Sequence, residues 1–235
     1  MMNRTPDTIK HLIIINVIMF VASQAMHTQM MNIFAMHFPL HPSFKIWQIF
    51  TYMFMHANMM HIAFNMYALW AFGSPLYQIW GKKRFLIFYF ASGIGAVLLY
   101  TGVQYYSFMQ DMHTLVASGI PESQVYEVLN SGKVYTQFAG MGSIYYSVML
   151  GASGAVYGLL VAFAFYFPNA ELMLMFIPYP IKAKYFVPLL VAADLMFGIT
   201  NVLHTPIAHL AHVGGALVGF ILMKMWGKYR QEPWY

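Results

Sequence analysis

The sequence predicts an all-α, polytopic membrane protein: one domain spanning residues 1–235, built as a bundle of six transmembrane helices. Three observations carry that prediction. Hydrophobic residues make up 60% of the chain and charged residues only 8%, where a soluble domain carries about 25% charged residues. Six apolar stretches approach the roughly 20 residues that a helix needs to cross the hydrocarbon. The twelve lysines and arginines divide very unevenly between alternate connections.

The apolar stretches are Leu12–Met31, Ala57–Ile79, Phe85–Tyr106, Ser147–Phe167, Tyr185–Leu203 and Ile207–Trp226. Lys10 before the first stretch and Ser23-Gln24-Ala25 within it faintly resemble a signal peptide. A retained helix is the preferred reading. A seventh apolar stretch, Leu172–Ile181, is short and holds Pro178 and Pro180, so it is expected to be a loop dipping into the interface. The core of the domain runs from about 47 to 226.

Ten basic residues fall on one side of this arrangement: Arg4, Lys10, Lys82, Lys83, Arg84, Lys182, Lys184, Lys224, Lys228 and Arg230. Only Lys45 and Lys133 fall on the other. The positive-inside rule then puts both termini in the cytoplasm. The expected location is the cytoplasmic membrane of a cell. The first outer loop, Asn32–His56, is long and aromatic, and the third runs over Ser107–Tyr146. Within the third, Pro121, apolar positions three and four apart and Gly132 predict a short amphipathic helix. The chain has no cysteine, which excludes thiolate nucleophiles and disulfides. No basic patch suggests a nucleic-acid partner.

Polar groups inside a bilayer are costly and call for a reason. Ser153, in Gly151-Ala152-Ser153-Gly154, sits near the start of the fourth helix, where free N–H groups and the positive dipole end favour a developing oxyanion. The flanking glycines let a backbone approach. Small residues of this kind also serve helix packing, and alone the motif is compatible with that role. His212 lies near the outer end of the sixth helix, followed by Gly215 and Gly219. That small-xxx-small face matches Gly154 and Gly158, so close contact of the two helices would bring Ser153 and His212 to one depth. An imidazole there can take the serine proton, or simply bond to a carbonyl. His61 and Asn65 share a face of the second helix. As oxyanion donors each could contribute about 3 kcal/mol to transition-state stabilisation. Interhelical hydrogen bonding is the alternative, and zinc binding is disfavoured because His61 with Asn65 is a poor ligand pair. His56 precedes them at the helix entrance. Asp194 is read as mid-helix without a partner, so a Ser–His dyad rather than a triad is expected. The helices carrying His61, Ser153 and His212 all start at the outer face, which puts the three at a similar depth.

These motifs resemble the rhomboid intramembrane serine proteases. Gly151-Ala152-Ser153-Gly154 with Tyr157 resembles the family's Gly-x-Ser-Gly signature. Ala211-His212-x-x-Gly215-x-x-x-Gly219 resembles its last catalytic helix, and His56 through His61 to Asn65 resembles its second-helix pattern. The resemblance covers about Trp47 to Gly219. It implies a rhomboid-like six-helix bundle that cleaves transmembrane segments of single-pass or polytopic membrane proteins within the lipid bilayer, without metal or cofactor. It implies Ser153 as nucleophile, His212 as base, and His61, Asn65 and the Ser153 N–H as oxyanion donors. It further implies Tyr157 stacked on His212, and residues 201–211 as a mobile cap. The chain departs from the family pattern at Trp47-Gln48, where Trp-Arg is common, and at Tyr77-Gln78, where many members carry a glutamate. The rival readings are a non-catalytic rhomboid-like protein that binds membrane helices and a small transporter. A transporter should show an internal repeat, which the sequence lacks.

Overall fold

The computed structural model describes residues 5–174, 177–200 and 208–226. Helix α1 spans Asp7–Ala25, and a short α2, His27–Phe34, follows after a break at Met26. Strand β1 is Met36–His37, and α3 is Gln48–Thr51, continued by a 3-10 turn at Tyr52–Phe54. Helix α4, Met59–Ala117, is two helices broken at Gly81, which has φ 70° and ψ 175°. That left-handed φ is one that glycine adopts without strain. The arms fold back on each other, so that Phe85 meets Gly73 and Tyr77, and Trp80 meets Phe88. Next come α5 (Glu122–Asn130), α6 (Ala139–Tyr145), β2 (Val148–Met149) and α7 (Ser153–Tyr166). Strands β3 (Glu171–Leu174) and β4 (Ile177–Lys182), then α8 (Ala183–Thr200) and α9 (His209–Trp226), complete the described chain.

Six apolar helical segments therefore cross the bundle: α1, the two arms of α4, α7, α8 and α9. Large apolar side chains on their outer faces are exposed, among them Ile18, Tyr67, Leu98, Leu189, Ile199 and Ile221. Lipid covers such faces at no cost, whereas water would penalise them. The buried core runs from Ile9 and Leu12 of α1 through Leu69, Phe85, Phe88 and Tyr89 of α4 to Ala155 and Leu159 of α7 and Met223 of α9. Helix α7, the second arm of α4 and α9 pack pairwise against one another, with Gly154 against Ala96, Gly215 against Gly154 and Gly214 against Gly95. The far end of α7 is tied to the Gly81 turn by Trp80, whose indole N–H donates to Tyr166 at 3.1 Å.

Four sequence expectations are revised. The second arm of α4 runs to Ala117 rather than to about Tyr106. The extra turns carry Phe108, Met112 and Leu115 into a small separate core with Phe38, Val125, Leu129, Met141 and Tyr145. The long third loop is thus a packed cap in which α5 is the amphipathic helix expected after Pro121. The fourth span starts at Ser153, not Ser147, because β2 pairs with β1 (Met36 opposite Met149, His37 opposite Val148) and holds the preceding residues extended. The segment expected as an interfacial loop is a hairpin, with Glu171 opposite Lys182 and Leu172 opposite Ile181. Pro178 and Pro180 fall between the paired positions Ile177 and Ile181, where the register shifts and a missing N–H is tolerated. The first span begins at Asp7, earlier than expected, and packs on α4. The expected cap over 201–211 lies largely outside the described residues.

The first outer loop is anchored by Gln48. This side chain is completely buried. Its oxygen accepts from the N–H groups of His37 (3.3 Å) and Lys45 (3.1 Å), and its nitrogen donates to the carbonyls of Asn32 (2.9 Å) and Ser43 (3.0 Å). A neutral carboxamide offers both donors and acceptors, so Trp47-Gln48 is a working anchor. Trp47 adds a 2.8 Å bond from its indole to the Ile33 carbonyl.

Candidate functional site

The site forms at the end of the bundle where the first arm of α4, α7 and α9 begin and α8 ends. Gly151, with φ 116°, turns the chain from β2 into α7. Its N–H donates to the Tyr52 carbonyl at 3.0 Å. A side chain there would strike His61, since a Cβ would stand 2.7 Å from the ring's Cε1 and Nε2. Only glycine satisfies both the backbone angle and this approach. Ala152 caps α7, so Ser153 is its first residue and its N–H is one of the helix's unpaired donors.

Depth is set by glycine contacts. A Cβ on Gly215 would lie 1.9 Å from the Gly154 carbonyl oxygen, and one on Gly219 would lie 2.7 Å from the Gly158 Cα. Helices α7 and α9 therefore touch backbone to backbone, a separation that only small residues permit. At this separation Ser153 Oγ is 2.9 Å from His212 Nε2, a normal hydrogen bond. The Tyr157 ring stacks on the His212 ring with centroids 4.3 Å apart and planes 11° apart. His212 keeps 14% of its side chain exposed.

His61 closes the opposite side. Asn58 caps α4 by accepting from the His61 N–H at 2.9 Å. His61 Nδ1 accepts from the Ala57 N–H at 3.4 Å, which leaves the ring proton on Nε2, the atom facing Gly151. Asn65 is buried one turn further on, and one of its amide hydrogens goes to the His61 carbonyl at 2.9 Å. The buried His56 ring meets His61 edge-on at 5.0 Å and holds it in place.

The expectation that no carboxylate reaches this depth is overturned. Asp194, buried on α8, has its Oδ1 3.3 Å from His212 Nδ1 and 2.5 Å from His209 Nδ1. Asp194 lies six residues, about 9 Å at 1.5 Å per residue, before Thr200, the last described residue of α8; the rest of the span expected to reach Leu203 lies outside the described residues. His209, which sequence reasoning did not single out, is the first residue of α9. Its spacing of three from His212 puts both on one face, a signal that could have identified it. The three possible ligand atoms of Asp194, His209 and His212 lie within 4.8 Å of one another, close enough to hold a metal ion. The carboxylate already satisfies both imidazoles by accepting their hydrogen bonds.

The chain is 28% identical to Rhomboid protease AarA of Providencia stuartii over 186 residues, covering 75% of this chain and 54% of AarA. It is 27% identical to RHOMBOID-like protein 12, mitochondrial, of Arabidopsis thaliana, covering 96% of this chain and 59% of that protein. It is 28% identical to the human Presenilin-associated rhomboid-like protein, mitochondrial, covering 71% of this chain and 34% of that protein. The chain thus spans about half the length of the first two relatives and a third of the last. The Rhomboid domain family model matches residues 43–229, a stretch that includes each of the site residues above, and with most of its length inside that match the chain belongs to the rhomboid family.

Proposed function

We propose that this chain is an intramembrane serine endopeptidase that cleaves transmembrane segments of other membrane proteins. The observation that carries this reading is the 2.9 Å contact between Ser153 Oγ and His212 Nε2, in a family whose members include a protease. A substrate helix has its carbonyls already bonded, so its end must unwind before it can enter the site. His212 Nε2 takes the Ser153 proton as Oγ attacks the scissile carbonyl. The Ser153 N–H at the start of α7, the His61 Nε2–H and the second Asn65 amide hydrogen face the oxyanion. His212 then returns the proton to the leaving amine, and water enters past the partly exposed ring to release the acyl group. Gly151, Gly154, Gly215 and Gly219 keep the helices close enough for this, Tyr157 holds the imidazole face, and His56 supports His61. The ten-to-two division of basic residues supports cytoplasmic termini in a cell membrane, with the site near the outer face.

The test is cleavage of a model transmembrane substrate by the purified chain in liposomes. Ser153→Ala and His212→Ala should each lower the rate by on the order of 10⁴–10⁶-fold, and a fluorophosphonate should label Ser153 in the unaltered chain. Cleavage that persists in Ser153→Ala overturns the reading.

A further inference from the structure

Asp194 is a buried carboxylate that the serine–histidine chemistry above does not use. Helix α8 is otherwise loosely held, with Ala183 and Val187 its only other buried residues among those described. A charge in the hydrocarbon needs partners, and the two imidazoles that meet Asp194 Oδ1 belong to α9. One of them is the imidazole that touches Ser153.

We propose that Asp194 is the positioning residue for His212, completing a line Asp194–His212–Ser153 across α8, α9 and α7. The proposal rests on the reading of Ser153 and His212 as nucleophile and base. A neutral imidazole carries one N–H, and a carboxylate can only accept. With Oδ1 at 3.3 Å from Nδ1, the proton sits on Nδ1 and Nε2 presents its lone pair to Ser153. In the opposite tautomer Nε2 would donate to Oγ and could not take its proton. As attack proceeds, the imidazolium that forms faces a fixed negative charge. His209 donates to the same oxygen and stops the carboxylate from swinging away. Tyr157 and Asp194 restrain the ring in different directions: the stack fixes its tilt, and the hydrogen bond fixes its rotation within the plane.

The experiment compares Asp194→Asn and Asp194→Glu in the full chain in liposomes. Rates are taken per mole of monodisperse protein with a cooperative thermal transition. Asn keeps the shape and loses the carboxylate, while Glu keeps the carboxylate and loses the fit. Expected are a fall in kcat of about 100-fold or more for Asp194→Asn with KM within about threefold, and at least partial rescue by Asp194→Glu. A packing role predicts the reverse order. A kcat for the Asn variant within threefold of the unaltered chain, a loss confined to KM, or a Glu variant no better than Asn overturns the proposal. A second measurement needs no Asp194 variant. Nitrogen-15 spectra of histidine-labelled protein, with His212 assigned by its absence from His212→Ala, should show the Nδ1–H tautomer; the Nε2–H tautomer overturns the proposal. Loss of cleavage in Ser153→Ala beside unchanged kinetics in Asp194→Asn would sink this inference alone. Persisting cleavage in Ser153→Ala would sink the protease reading beneath it.

Discussion

Replacing Gly215 with alanine puts a methyl group into the α7–α9 contact directly beneath the Ser153–His212 pair. The new Cβ would stand 1.9 Å from the Gly154 carbonyl oxygen, 2.6 Å from its carbon and 3.0 Å from its Cα. Each of these atoms is backbone, so no side chain can swing aside. An unstrained carbon–oxygen contact is about 3.3 Å, so the helices must part locally by roughly 1.4 Å. Gly215 follows His212 by less than one turn and Gly154 adjoins Ser153, so most of that displacement reaches the pair. Their 2.9 Å bond then opens to about 4 Å, beyond hydrogen-bond range. A displacement near 1 Å at a reacting centre costs on the order of 100-fold in rate, and overpacking costs about 1–3 kcal/mol of stability. The assay is kcat/KM on a model transmembrane substrate beside a thermal melt. Gly219→Ala, whose Cβ would meet Gly158 one turn deeper at 2.7 Å, should have a milder effect. Gly102→Ala, which meets nothing within 4 Å, serves as the neutral control. A Gly215→Ala protein with the kcat/KM and melting temperature of the unaltered chain would refute the link between helix separation and the catalytic contact.

Two further outcomes concern the first outer loop. Gln48→Ala strands two N–H groups and two carbonyls; at about 1 kcal/mol per bond lost it should loosen residues 32–56 by roughly 2–4 kcal/mol, read as faster amide exchange there. The loop should also loosen in acid. Burial holds the imidazoles of His37 and His41 below their ordinary value of 6.5, and the neighbouring His41 lowers His37 further. Because the folded values are depressed, their contribution is present in full above about pH 6.5 and is lost as the pH falls below it. Protonation of His41 would also cost the bond its Nδ1 accepts from the Ser43 N–H at 3.1 Å. Protease nicking within 36–44 should rise between pH 7.5 and pH 5, and a His37→Gln, His41→Gln double variant should lose most of that rise. Equal pH dependence in both proteins would count against the cause.

What the sequence could reveal was whatever is written locally or in order along the chain. Apolar runs of membrane-spanning length, the bias of the basic residues and the glycine pairs at Gly154–Gly158 and Gly215–Gly219 are each properties of one segment. The short helix after Pro121 is local in the same sense, and so is the turn that Gly151 makes before Ser153. Other features belong to no single segment. The pairing of β1 with β2 moved the start of α7 to Ser153, and the packing of Phe108, Met112 and Leu115 under the third loop extended α4 to Ala117. The partner of Asp194 depended on how far α8 and α9 slide past each other. That offset is decided by side chains meeting across three helices, and a residue's position within its own helix does not carry it. The chain alone therefore specified which groups could do chemistry, and the tertiary packing decided that a carboxylate from α8 stands behind the histidine.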